Sequence, residues 1–330
     1  LFWEKFIAIP ELVLKFNQIN NLFLGAKRAL IATHKNPDGD GIGSMLALNF
    51  IFKKNNIDVV LFCQDSPPRE LNFLPYWHEI KNFYDKDKYD VIVALDYGDF
   101  QRTGLVLEPE NTHTPLITID HHQAGNHKGH IRIVEPQLSS TAEIIYYFFQ
   151  ENNIEIDKNI ATCLLAGIFF DTGGFRHSNT SQAVLQATGD LLSRGGNLNK
   201  ITENAYKIKS INHSRLLGKV LSGLEILGDS GLAFAIVKQD DFHEYGVRGD
   251  VAEGIANFMC IIPEARFSLL LTEEPSGQFR GSLRSEEFKN IDVSQIAQIF
   301  GGGGHKLAAG FMTDLKPENI IGKIQQAVVR

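Results

Sequence analysis

The stretch Ala29-Leu30-Ile31-Ala32-Thr33, running into His34-Lys35-Asn36-Pro37-Asp38-Gly39-Asp40, decides how this chain folds. The first five residues are an apolar run of the length of a buried strand. The next seven form a loop. Pro37 and Gly39, with Gly41 and Gly43 just beyond, allow a tight backbone that approaches its neighbours closely. A helical pattern follows from about Gly41 to Lys54, and Ile57 to Cys63 is again β-branched and apolar. The strand signal returns at Asp90 to Leu95 and at Pro115 to Ile119. Continuous apolar strands separated by helices predict an α/β fold, a mostly parallel sheet flanked by helices. Further helices are expected at about 139–152, 157–170 and 180–194.

The chain has 330 residues, more than one typical core accommodates, so two domains are expected. Residues 1–190 form the first. A more polar helical connector covers 191–215, and 216–330 form the second. Strand-like runs at 231–238, 265–272 and 277–284, with helical patterns at 249–260, 291–300 and 316–329, predict a smaller mixed α/β unit. The low-complexity feature is the glycine run at 301–304, which lies between two helical patterns.

Composition is ordinary for a folded protein, with 43% hydrophobic and 22% charged residues. The net charge is −7, which argues against a track for long nucleic acid. It favours a small or short anionic substrate held locally. Cys63, Cys163 and Cys260 are not paired at metal or redox spacing and sit in apolar runs. They read as reduced core residues, which suits a cytoplasmic protein. Leu1 to Phe16 is apolar but broken by Glu4, Lys5, Glu11 and Lys15, so it reads as an amphipathic helix rather than a signal peptide. No stretch approaches the roughly 18 unbroken apolar residues of a membrane span.

The acids and histidines gather where the apolar runs end. His34, Asp38 and Asp40 lie in a strand-to-helix loop, at the sheet edge where open α/β sheets bind ligands. They serve divalent cations or, alternatively, cap the next helix. Asp96 ends Val91-Ile92-Val93-Ala94-Leu95 and is either a turn residue or a ligand. Asp120-His121-His122 repeats the arrangement after Leu116-Ile117-Thr118-Ile119. Asp171 follows the apolar helix Ile160 to Phe170, where a negative charge opposes the helix dipole and calls for a compensating cation; the alternative is a solvated acid. Carboxylate and imidazole without thiolate are the donors of hard and borderline divalent cations. Gly301 to Gly304 with His305 and Lys306 is either a flexible linker or an amide cradle for phosphate. Arg284, at the end of a strand-like run, offers a bidentate phosphate clamp.

In order along the chain, these segments resemble the motifs of the DHH phosphoesterase family. Asn36 to Asp40, Asp96, Asp120-His121-His122 and Asp171-Thr172-Gly173 are similar to its four N-terminal motifs. Ser282 to Ser285 and Gly301 to Gly310 resemble the signature of its associated C-terminal domain. The match spans about 30 to 312. In size and layout the chain is similar to the bacterial oligoribonuclease and pAp-phosphatase members, the nano-RNases.

The resemblance implies two divalent cations, usually manganese with magnesium as the other option, and a site in a cleft between the domains. His34, Asp38 and Asp96 would hold one cation, and Asp40, Asp96, His121 and Asp171 the other. Asp120 would orient a histidine and His122 would face the scissile phosphate. Arg284, Gly302, Gly303, Gly304 and His305 would bind the substrate, a short RNA or 3'-phosphoadenosine 5'-phosphate (pAp). A stand-alone cyclic- or linear-dinucleotide phosphodiesterase is the alternative within the family. A pyrophosphatase lacks the glycine-histidine run, and a long-strand exonuclease needs extra domains and more positive charge. Oligomeric state stays open, with a homodimer among the options.

Overall fold

A computed structural model describes residues 10–85, 89–106, 113–123, 125–206, 210–247 and 253–328. Of these, residues 253, 254, 257, 260, 287 and 305 are described by their backbone alone. Of the expected N-terminal helix, Leu1 to Phe16, residues 1–9 lie outside the described set, and from Pro10 a helix runs to Gly25; the Cys260 side chain also lies outside the described set. The chain divides into two compact units, Leu1–Lys207 and Ile208–Arg330. The expected connector, 191–215, spans this division.

The first unit contains strands β1 (Arg28–Ala32), β2 (Asp58–Phe62), β3 (Ile80–Lys81), β4 (Val91–Leu95), β5 (Leu116–Asp120) and β6 (Ile131–Val134). Their order is β3-β2-β1-β4-β5-β6. Every pair is parallel. The order reverses between β1 and β4, the switch point at which a crevice opens beyond the strand ends. Register keeps those ends level: Ala32 lies opposite Ala94, and Leu95 opposite Ile119.

Alternate residues of each strand face opposite sides, as pleating requires. Ala29, Ile31, Val91, Val93 and Leu95 join a core built with helices α1 (Pro10–Gly25), α2 (Gly39–Lys54), α3 (Thr141–Glu151) and α4 (Lys158–Asp171). Helices α5 (Gln182–Ser193) and α6 (Leu198–Ala205) extend that layer. Leu30, Ala32, Ile92 and Ala94 face the other way, under Tyr84, Tyr89, Tyr97, Phe100 and Leu105 from the loops.

Helix α2 packs on α4 at unusually short range. A Cβ at Gly43 would lie 2.4 Å from the Cys163 carbonyl oxygen, and one at Gly167 2.8 Å from Asp40 Oδ1. The missing side chains let the N-terminus of α2 approach the C-terminal half of α4.

The second unit holds α7 (Ile211–Ser222), β7 (Glu225–Leu227), β8 (Leu232–Val237), α8 (Gln239–Tyr245), α9 (Glu253–Cys260), β9 (Phe267–Glu273) and β10 (Phe279–Ser285). It continues with α10 (Val293–Gln298), β11 (Gly303–His305), β12 (Ala308–Thr313) and α11 (Pro317–Val328). The strand order is β11-β12-β10-β9-β8-β7. β8 and β9 run parallel and the other pairs antiparallel. The glycine run differs from expectation: instead of a loop between helices it supplies the edge strand β11, paired with the unforeseen β12. Among the described residues, no helix is long and apolar enough to cross a membrane.

Candidate metal centre

Each acidic or imidazole group of the first unit is delivered to the carboxyl edge of the parallel sheet by the end of a strand or helix. His34 and Asp38 follow β1. Asp38 caps α2, its Oδ1 accepting from the Asp40 and Gly41 backbone N–H groups at 3.0 and 3.1 Å. Its other oxygen, Oδ2, lies 3.7 Å from His34 Nε2. One carboxylate thus performs the capping role and still turns an oxygen to the cluster.

Asp96 follows β4 in a left-handed conformation, φ +53°. It is 1 % exposed. Its Oδ2 lies 3.7 Å from His34 Nε2, and its Oδ1 3.6 Å from both His121 Nε2 and His122 Nδ1. Thr141 Oγ1 donates to Oδ1 at 3.2 Å. Asp40, in the first turn of α2, accepts the Thr141 and Ala142 N–H groups at the start of α3 at 2.7 and 2.8 Å. Asp171 closes α4 and sets Oδ2 3.2 Å from His121 Nε2.

Donor atoms therefore gather in three overlapping groups: His34, Asp38 and Asp96; Asp40, His121 and Asp171; and Asp96, His121 and His122. Asp96 belongs to two of them.

The electrostatics ask for positive charge. Burial first, then the charge of Asp38, pushes Asp40 up to about 7. Burial, then the other carboxylates, led by Asp40, pushes Asp96 and Asp171 well above the usual 3.8. Burial and then the neighbouring His122 lower His121 to about 4, so it is neutral and keeps a lone pair. That Nε2 is buried among carboxylate oxygens and makes no hydrogen bond. An unbonded imidazole nitrogen among crowded carboxylate oxygens is what a cation would resolve, so the donor set fits divalent ions.

Asp120 is fully buried. Its Oδ2 accepts the Tyr97 and Gly98 N–H groups at 3.0 and 2.8 Å, and its Oδ1 the His122 N–H and the His122 ring Nδ1–H at 3.0 and 2.8 Å. Burial raises its carboxyl, but these bonds override it and bring the group to about 2. Burial would also lower His122, and the Asp120 hydrogen bond and charge reverse that, lifting it above 6.5.

Models of two families match the chain: the DHH family N-terminal domain over residues 28–168, and the DHHA1 domain over residues 229–329. A relative from Thermus thermophilus, the bifunctional oligoribonuclease and PAP phosphatase NrnA, is 32% identical over 311 residues. The alignment covers 94% of this chain and 88% of that protein. The chain belongs to the DHH family. A crystal structure of an exopolyphosphatase-related protein from Bacteroides fragilis matches with a TM-score of 0.86 at 26% identity, over 96% of this chain and 95% of that one. RecJ of Thermus thermophilus, crystallised with Mn2+, shares the fold with a TM-score of 0.55 at 15% identity, over 96% of this chain and 54% of that one.

Within this DHH unit, reading the motifs alone passed over Arg102. Its Nη2 lies 2.9 Å from His34 Nδ1, its Nη1 donates to the Tyr97 carbonyl at 3.2 Å, and its own carbonyl accepts the Lys35 N–H at 2.7 Å. His34 Nδ1 also lies 2.8 Å from the Lys35 carbonyl oxygen. Nδ1 either donates to that oxygen or accepts from Arg102 Nη2, not both; the first arrangement leaves Nε2 free towards Asp38 and Asp96. The available signal was an arginine in the loop after a strand that ends in a carboxylate.

In the DHHA1 unit Arg284 lies on β10, half-buried, with Nη1 donating to the Leu283 carbonyl at 2.9 Å. Gly303 and Gly304 belong to β11 and Gly302 precedes it. The His305 side chain lies outside the described residues.

Proposed function

We propose that this DHH protein is a metal-dependent phosphoesterase that hydrolyses short oligoribonucleotides and dinucleotides to mononucleotides, and pAp to AMP. The observation that carries this reading is Asp96, whose two oxygens face His34 on one side and His121 on the other. That is the disposition of a carboxylate shared between two ions. His34, Asp38 and Asp96 would hold one cation, and Asp40, Asp96, His121 and Asp171 the other, with manganese as the expected metal. When bound, such a pair supplies Lewis-acid polarisation of the phosphoryl group and lowers the pKa of water.

The chain's own groups do the rest. Asp120 fixes the His122 ring and its charge favours the protonated form, so His122 can pass a proton to the leaving oxygen. Arg284, the backbone of Gly302 to Gly304, and His305 are assigned to gripping the substrate. The buried free thiols of Cys63 and Cys163 fit a reducing cytoplasm.

The test is a panel: pAp, a dinucleotide, a five-nucleotide RNA, a cyclic dinucleotide and pyrophosphate, each with Mn2+, compared by kcat/KM. The first three should turn over fastest. In Asp96→Ala all should fall by more than about 10³-fold, beyond the loss of one transition-state hydrogen bond. Near-normal turnover by the metal-loaded variant, or pyrophosphate as the preferred substrate, would overturn the reading.

A further inference from the structure

A second concavity opens on the same sheet edge. It has a volume of about 350 Å³ and is lined by Phe62, Gln64, Asn82, Phe83, Tyr84 and Gly104 among others. Phe62 ends β2, and Asn82 to Tyr84 follow β3. Gly104 lies in the connection from β4 to β5, so all these segments leave the carboxyl ends of parallel strands.

The cavity walls are bonded directly to the loop that carries His34 and Asp38. The Thr33 N–H donates to the Phe62 carbonyl at 3.3 Å, Cys63 Sγ to the His34 carbonyl at 3.2 Å, and the Asn36 N–H to Asp65 Oδ2 at 2.8 Å. On the other side Gly104 stands two residues beyond Arg102, the residue against His34. Gly104 has φ +68°, and a Cβ there would strike the Gln64 amide at 2.2 Å. The glycine is what leaves room for Gln64 at this wall.

The lining is chemically selective. Among the described residues that line it, none has a charged side chain. Phe62 and Tyr84 meet edge to face with centroids 4.5 Å apart. Phe83, by contrast, is 66% exposed, with Lys81 Nζ 5.6 Å from its ring centroid on one side. The amides of Gln64 and Asn82 each offer a donor and an acceptor. Open aromatic surface beside paired donors and acceptors suits a flat heterocycle with a hydrogen-bonding edge. The volume is that of a small-ligand site.

We propose that this cavity is the base subsite of the enzyme: the nucleobase of the nucleotide whose phosphate lies at the metal cluster stacks on Phe83 and bonds to Gln64 and Asn82. This rests on reading the cluster as a nucleotide phosphoesterase site. It gives the first unit its own means of preferring nucleotides over simple phosphoesters.

Two measurements test it. The first compares a dinucleotide with the same molecule carrying an abasic residue. The wild-type KM ratio, abasic over intact, should be about ten, the size expected of one stacked base. In Phe83→Ala it should approach one, and in Gln64→Ala, which keeps the stacking face, it should fall part of the way. A ratio unchanged by either variant overturns the subsite. The second uses calorimetry without turnover, comparing AMP with ribose 5-phosphate on the Mn2+-loaded protein. AMP should bind about tenfold more tightly to wild type, and the advantage should disappear in Phe83→Ala. An advantage that persists overturns the proposal. Because the second readout needs no catalysis, a protein inactive on every nucleotide would reject the proposed function while leaving the subsite separately decided.

Discussion

At the scale of single residues, the centre separates its two kinds of histidine by their partners. His121 is surrounded by carboxylate oxygens without a hydrogen bond at Nε2 and is held neutral. His122 is fastened to a buried anion, Asp120, and holds its proton more tightly than usual. Adjacent positions in the sequence thus acquire opposite acid–base character. If His122 acts in its protonated form, activity falls as pH rises through its pKa. Asp120→Asn removes the charge that raises that pKa, so the alkaline limb of the kcat profile should move to lower pH. The rate should fall by about 10–100-fold, the usual cost of losing an orienting partner. A profile whose alkaline limb stays in place would remove His122 from proton transfer. Asp40 illustrates a different balance. Two helix N–H groups favour its ionised form, yet burial and Asp38 outweigh them.

At the scale of elements, the close pairing of α2 and α4 brings Asp40 and Asp171 together. In an ordinary helix, Gly43→Ala would gain about 1 kcal/mol from helix propensity. Here the new methyl would lie 2.4 Å from a backbone oxygen that cannot rotate away. Overpacking of this kind costs about 1–3 kcal/mol, so a net loss is expected in urea unfolding, with weaker Mn2+ binding as the two helices separate. A more stable variant would show that the contact relaxes freely. The same scale explains what the sequence could reveal. β1, β2, β4 and β5 were legible because each carries an apolar run that is buried on both faces. β6 (Ile131-Arg132-Ile133-Val134) was not, since Arg132 interrupts the run and the strand lies at the sheet's edge. β3 has only two residues. β11 and β12 are built from Gly, Ala and His as much as from strand-forming residues, and register with β10 decides their conformation. In the centre, the clustering of acids and histidines from strand ends was legible because chain order alone brings such ends to one edge. Arg102 was not, because a short turn carries it back over the β1 loop.

At the scale of the whole molecule, gathering Asp40, Asp96 and Asp171 in a buried site creates a liability when no cation is present. From the ordinary 3.8 to about 7, folded Asp40 holds a proton that the unfolded chain has released. Asp96 and Asp171 act in the same direction, while His121, lowered to about 4, opposes them up to its ordinary 6.5. Three acids against one imidazole leave the folded state with more protons, so stability decreases as pH rises through this window. Metal-free protein in chelator should therefore melt at progressively lower temperature from about pH 4 to pH 7, and saturating Mn2+ should flatten the trend by binding only the folded form. A melting temperature that rises over this interval in chelator would show that the carboxylates are not mutually repelling in solution.

The left-handed backbone at Asp96 limits what mutagenesis can ask of this position. Asparagine, aspartate and glycine tolerate such torsion angles readily, whereas longer or branched residues resist them. A glutamate there would be disfavoured by the main chain before its carboxylate reached either neighbour, and its failure would say little about coordination chemistry. Asparagine keeps the torsion, the volume and one oxygen while removing the charge. It is the replacement that separates the electrostatic contribution of residue 96 from the contortion required to put it there.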